Sequence, residues 1–93
     1  MKATHIKGKK VADIMLYTLS TCIWCKKVKA LLTELGVEYF YIDVDTITRE
    51  EKEQVSKEIE KWNPAVSFPT IVINNKEYIL GYQPEEIKEK LKL

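Results

Sequence analysis

The chain has 93 residues, of which 45% are hydrophobic and 31% charged. This composition is that of one small globular domain, which is too short for two cores and too apolar for a disordered chain. Fifteen Lys and Arg residues against fourteen Asp and Glu give a net charge of +1, so the balance predicts neither a nucleic-acid partner nor an anionic membrane surface.

Residues 1–10 form a basic segment, which we expect to be a mobile arm in front of a domain of residues 11–93. The segment lacks the apolar run that a signal peptide or a membrane span requires. We therefore expect a cytoplasmic protein. In a reducing cytosol, a pair of cysteines is more often catalytic or metal-binding than structural.

The first half of the domain carries the pattern of two strands joined by a helix. Residues 13–18 have the composition of a buried strand, and apolar side chains at positions 28, 31, 32 and 35 follow the spacing of one helix face. Residues 37–44 are rich in β-branched and aromatic side chains, which predicts a second strand, parallel to the first.

The second half predicts two helices and a hairpin. Thr48 and Glu51 form a capping-box pattern, which indicates a helix that ends before residues 63–64. Residues 70–80 contain two short apolar strands around a pair of asparagines, as in a tight β-hairpin. Pro84 suits the first position of a last helix. The predicted order is βαβαββα, an α/β fold with a four-stranded mixed sheet and three helices.

The only two cysteines, Cys22 and Cys25, lie at the turn from the first strand into the first helix. Only a thiolate attacks a disulfide, and the unpaired N–H groups at a helix N-terminus favour a negative charge. Lys26 and Lys27 add positive charge close by. We expect Cys22, nearer the helix end, to be the nucleophile and Cys25 to resolve the mixed disulfide.

Metal binding is the alternative use of such a pair. A structural zinc site needs four ligands, and besides the cysteines the chain offers His5 in the basic segment, so the sequence argues against zinc. An iron–sulfur cluster shared between two chains, with Cys22 and external thiols as ligands, is a second hypothesis.

Three segments, taken together and in this order, carry a family resemblance. They are residues 17–25 with the Cys-Ile-Trp-Cys motif, residues 67–70 before the third strand, and residues 81–84 before the last helix. With the βαβαββα order they resemble the thioredoxin fold in its short glutaredoxin form, from Val11 to Leu91.

The resemblance implies roles for several residues around the two cysteines. The Phe68–Pro69 bond is expected to be cis, with the Phe68 backbone facing the substrate. The Trp24 ring is expected either to shield the dithiol or only to pack, and Thr21 and Lys26 are expected to assist the thiolate by hydrogen bonding and charge. The residues expected to contact substrate are Thr21, Trp24, Lys26, Phe68, Pro69, Gly81 and Tyr82, and no metal ligand is expected.

Two departures from the family pattern bear on the electron donor. Glutaredoxins that use glutathione usually carry a basic residue where this chain has Leu19, and a Gly-Gly pair followed by Asp where it has residues 80–83. Residues 81–84 look closer to glutaredoxin-like redoxins that serve ribonucleotide reductase. The sequence predicts poor use of glutathione, and leaves another small thiol or a thioredoxin reductase as donor.

The sequence thus predicts a dithiol/disulfide oxidoreductase that reduces protein or small-molecule disulfides. We expect no bound cofactor, because an external thiol or a flavoprotein reductase supplies the electrons. The expected state is a monomer, whose partners are disulfide-containing proteins or small thiols. Ribonucleotide reductase and a thioredoxin reductase are candidate partners, and neither nucleic acid nor membrane is expected.

Overall fold

The computed structural model describes residues 3–93. Its strands are β1 (Thr4–Ile6), β2 (Ile14–Thr18), β3 (Tyr39–Asp43), β4 (Thr70–Ile73) and β5 (Glu77–Leu80), and its helices are α1 (Ile23–Glu34), α2 (Arg49–Glu60) and α3 (Pro84–Lys90). From β2 onward this is the predicted βαβαββα order. No helix of the described chain is long and apolar enough to cross a membrane.

The strands form one mixed sheet in the order β1-β3-β2-β4-β5. β2 and β3 run parallel, as predicted for strands joined by a helix, and the other neighbours are antiparallel. Thr18 at the end of β2 lies in register with Asp43 at the end of β3. The carboxyl ends of both strands therefore meet at the edge where α1 begins.

The prediction of a four-stranded sheet is wrong by one strand. β1 lies within the basic segment and pairs with β3, with Thr4 opposite Tyr41. Gly8 also lies close to the backbone just before β3. A Cβ added at Gly8 would lie 2.6 Å from the Val37 carbonyl carbon. Met1 and Lys2 lie outside the described residues. The mobility of the arm in solution stays a prediction.

Each face of the sheet packs against helices because side chains alternate between the faces along a strand. One face packs against α1 and α3, with Leu16, Leu32 and Ile87 in its core. The other packs against α2, where Val55 and Ile59 are fully buried. The sheet thereby fixes α1 on one side and α2 on the other.

Local signals in the sequence correctly located several ends of elements. Thr48 and Glu51 form the predicted capping box at the start of α2. Asn74 and Asn75 both have φ of 54° in the turn between β4 and β5, as the hairpin pattern requires. Pro84 is the first residue of α3. The strands β2 and β3 are shorter than predicted by one and three residues.

Candidate active site

The two cysteines lie where the chain enters α1 after β2, with Cys22 just before the helix and Cys25 in its first turn. The Cys22 N–H donates to the Leu19 carbonyl at 3.1 Å, which closes the turn, and the Lys26 N–H donates to the Cys22 carbonyl at 3.1 Å. Cys22 is the N-cap, and its Sγ accepts a hydrogen bond of 3.2 Å from the Cys25 N–H. The Cys22 sulfur therefore accepts a hydrogen bond from one of the backbone N–H groups that a helix N-terminus leaves unpaired, and these groups favour a negative charge.

The two sulfurs differ in exposure. Cys22 is partly exposed, whereas Cys25 is 0% exposed, and both are free thiols. Burial, together with its hydrogen bond to Cys22, raises the pKa of Cys25 to about 12. At neutral pH, Cys25 therefore stays protonated, while Cys22 is the sulfur that a substrate can reach.

Two side-chain pairs join the end of β2 and the turn before Cys22 to the end of β3 and the chain that follows it. Thr18, fully buried, donates through Oγ1 to Asp43 and to the Ile42 carbonyl at 3.2 Å. The Ser20 N–H donates to Asp45 Oδ1 at 2.9 Å, and the Ser20 hydroxyl donates to the other oxygen. The Ser20 hydrogen bonds hold the pKa of the Asp45 carboxyl below its usual value.

The loop before β4, which contains Ser67, Phe68 and Pro69 and is called the proline loop below, carries the second part of the site. The Phe68–Pro69 bond is cis, as the resemblance implied. Asn63, 2% exposed, donates through Nδ2 to the Ser67 hydroxyl at 2.8 Å and to Thr70 Oγ1 at 3.1 Å. Because Asn63 itself is buried, these hydrogen bonds fix the loop on both sides of the proline.

The loop before α3 completes the site. Gly81 has φ of 82°, a conformation that glycine adopts without strain. Its N–H donates to the Pro69 carbonyl at 2.9 Å, which joins this loop to the proline loop. Gln83 donates from its side-chain amide to the Leu80 carbonyl at 3.2 Å.

A groove of about 360 Å³ lies between these loops and α1. The Trp24 and Tyr82 rings stack with centroids 5.9 Å apart, and the Lys27 ammonium lies 4.6 Å from the centre of the Trp24 ring. The residues that line the groove are Trp24, Phe68, Pro69, Leu80, Gly81, Tyr82 and Gln83. None of these lining side chains is charged.

The groove brings together most of the residues expected to contact substrate. Trp24, Phe68, Pro69, Gly81 and Tyr82 all line it. The other two, Thr21 and Lys26, are exposed and do not line it, and their assistance to the thiolate stays a prediction.

The sequence did not single out four of the anchoring residues. Thr18, Asp43, Ser20 and Asp45 hold the turn before Cys22. The signal for the first pair was present in the sequence, because two parallel strands that flank a helix place their last residues side by side.

Among residues 3–93, no group of three or more His, Cys, Asp and Glu side chains is arranged to hold a metal ion.

Comparisons with known proteins give the family. Residues 14–79 match the Glutaredoxin family model. A solved glutaredoxin from Methanosarcina mazei Go1 is 42% identical, with a TM-score of 0.92 over 100% of this chain and 90% of that chain. The methanoredoxin of Methanosarcina acetivorans is 41% identical, also with a TM-score of 0.92, over 100% of this chain and 97% of that one.

A curated relative is similar over a shorter stretch. Glutaredoxin 1 of Rickettsia felis is 45% identical over 62 residues, which is 67% of this chain and 58% of that protein. The chain therefore matches less than two thirds of the length of this relative. The matches to the family model and to the solved structures confirm the predicted thioredoxin-like fold, and the chain belongs to the glutaredoxin family.

Proposed function

We propose that the protein is a thiol–disulfide oxidoreductase in which Cys22 attacks a substrate disulfide and Cys25 resolves the product. The observation that carries this proposal is the contrast between the partly exposed Cys22 at the start of α1 and the fully buried Cys25 one turn further in. An accessible sulfur favours attack, and a protected partner favours release of the substrate.

The reaction has two steps. The Cys22 thiolate forms a bond to one sulfur of the substrate, and the other substrate sulfur leaves as a thiolate that takes up a proton. Cys25 then loses its proton and attacks Cys22 Sγ, which releases the second substrate sulfur as a thiol. The two cysteines end as a disulfide, and the electron pair they lose reduces the substrate.

The groove supports an extended peptide or an uncharged small disulfide as substrate. Within residues 3–93, the N–H and C=O groups of Phe68 have no hydrogen-bond partner, so both are available to a bound chain. The Trp24 and Tyr82 rings offer apolar contact beside them.

The electron donor is proposed to be a small thiol other than glutathione, or a flavoprotein reductase. The uncharged lining of the groove supports this, since glutathione carries charges at both ends. Leu19, at the position where related proteins carry a cation, packs against the core beneath α2 instead. We further propose a cytoplasmic monomer that needs no bound cofactor, with ribonucleotide reductase or another disulfide protein as target.

The test is to oxidise the protein and follow recovery of its thiols with each donor separately. We expect glutathione to be slower than another small thiol or a thioredoxin reductase by about tenfold or more, since one charge-assisted contact contributes about 1.5–3 kcal/mol. The oxidised protein without any donor is the control for background reduction. Equal efficiency with glutathione would refute the donor proposal, and no turnover with any donor would refute the oxidoreductase itself.

A further inference from the structure

An ion pair that the sequence did not single out lies one helical turn beyond the dithiol. Lys29 follows Cys25 by four positions on α1, and side chains at that spacing share a helix face. The Lys29 ammonium donates to Asp43 Oδ1 at 3.0 Å, and only 22% of the Lys29 side chain and 20% of the Asp43 side chain are exposed. A half-buried cation therefore lies on the same face of α1 as Cys25.

The Lys29 side chain is held in place from β3. Its ammonium lies 3.9 Å from the centre of the Tyr41 ring, and Asp43 is itself fixed by the buried Thr18 hydroxyl. By contrast, Lys27 contacts the exposed ring of Trp24. Two direct contacts, with Asp43 and the Tyr41 ring, therefore hold the Lys29 ammonium against β3 and oppose its return to solvent.

In the resolving step Cys25 has to become a thiolate, so the groups that act on its pKa matter for that step. Burial raises the pKa of Cys25, and so do its hydrogen bond to Cys22 and the charge of Cys22, while the Leu19 backbone and the Lys29 charge lower it. Once Cys22 is part of a mixed disulfide, its thiolate is gone. The Lys29 ammonium, which Asp43 and Tyr41 contact from β3, does not depend on that thiolate for its position.

We propose that the Lys29–Asp43 ion pair is a positioning element for the resolving step, in which the fixed Lys29 ammonium stabilises the Cys25 thiolate. Cys25 gives up its proton, and its sulfur bonds to Cys22 Sγ. The bond between Cys22 and the substrate sulfur breaks, and that sulfur leaves as a thiolate that takes up a proton. The inference rests on the proposed function, and its test separates the two.

The test uses an uncharged chromogenic dipyridyl disulfide in a stopped-flow instrument. Attack by Cys22 releases one coloured thiol at a rate that depends on the reagent concentration. Closure by Cys25 releases the second at a rate that does not. The two steps are therefore recorded separately in one experiment, across a range of pH.

We expect Lys29→Met to slow the second phase about tenfold and to shift its pH dependence upward, with the first phase within about twofold of the parent. Lys29→Arg keeps the cation and should restore most of the rate. Lys29→Met combined with Asp43→Asn removes both charges without leaving an unpaired carboxylate, and should be as slow as Lys29→Met. Lys61→Met, which removes the exposed pair with Glu58, is the matched control and should change neither phase.

A second phase that is unchanged in Lys29→Met at every pH would overturn the proposal, as would equal slowing of both phases. Failure of Lys29→Arg to restore the rate would overturn it too, because a fixed positive charge would then not be what matters. If the parent protein releases only the first coloured thiol, the two-cysteine mechanism fails, and the proposal for Lys29 falls with it.

Discussion

The outer side of the active site, formed by Cys22 and Trp24, differs from the inner side, formed by Cys25, Lys29 and Asp43. The outer side is accessible: Cys22 is partly exposed, and 52% of Trp24 is exposed. The inner side combines a fully buried thiol with a half-buried ion pair. One turn of helix therefore separates an accessible thiol from a fully buried one, and burial raises the pKa of that second thiol.

The largest expected effect comes from replacing the cysteine of either side with serine. Cys22→Ser should reduce turnover to the uncatalysed background, because Cys25 is out of reach of a substrate. Cys25→Ser should keep the first step and accumulate a mixed disulfide on Cys22, which intact-protein mass spectrometry detects. A mixed disulfide that forms equally well on Cys25 in Cys22→Ser would remove the distinction between the sides.

The second-largest effect is expected when Asn63, whose buried side chain holds the proline loop, is replaced. Asn63→Ala should lower the free energy of unfolding by about 2–3 kcal/mol, because it removes the buried donor to Ser67 and Thr70. Chemical denaturation measures this. Gln54→Ala, on the exposed face of α2, is the control and should change stability by less than about 0.5 kcal/mol. Similar losses in both variants would show that the Asn63 hydrogen bonds contribute little.

A smaller effect is expected at the stacked rings of the outer side. Tyr82→Leu should raise KM for a disulfide peptide about two- to tenfold, since an aromatic pair contributes about 0.5–1.5 kcal/mol beyond its buried area. Tyr78→Leu is a matched control. The Tyr78 and Trp62 rings form a second aromatic pair, with centroids 6.1 Å apart, and neither ring lines the groove. An equal rise in KM in both variants would contradict a substrate role for the Tyr82 ring.

The smallest effect is expected at the exposed anchor of the turn before Cys22. Ser20→Ala should change kcat/KM by less than about twofold, because hydrogen bonds to exposed charges are weak in water. It should also raise the pKa of Asp45 towards its usual value, since the Ser20 hydroxyl is the main cause of the lowering. An NMR titration of the Asp45 carboxyl tests this, and an unchanged or lower pKa would show that the hydroxyl bond does not form.

The order of elements could be predicted because it depends on local patterns. Apolar periodicity located α1, and the pair Thr48 and Glu51 located the start of α2. β1 was missed because Thr4–Ile6 has no apolar run of its own and becomes a strand only by pairing with β3, far along the chain. An edge strand of this kind carries too little local pattern to be recognised.

The site was predictable to the extent that it is contiguous in sequence or carried by the family resemblance. The two cysteines lie three residues apart, and the proline loop came from the resemblance. The hydrogen bonds of Asn63 and the ion pair of Lys29 with Asp43 were not foreseen, because each depends on how a helix or loop packs against a distant strand. Periodicity predicts which face is buried, and it does not predict which polar groups meet there.

The most direct test of the account is the alkylation of the two thiols of the reduced parent protein as a function of pH, with each site resolved by peptide mapping. Because burial raises the pKa of Cys25 to about 12, Cys22 should be alkylated at neutral pH while Cys25 stays protected until the solution is strongly alkaline. Equal alkylation rates for Cys22 and Cys25 at neutral pH would contradict the division between an attacking and a resolving cysteine.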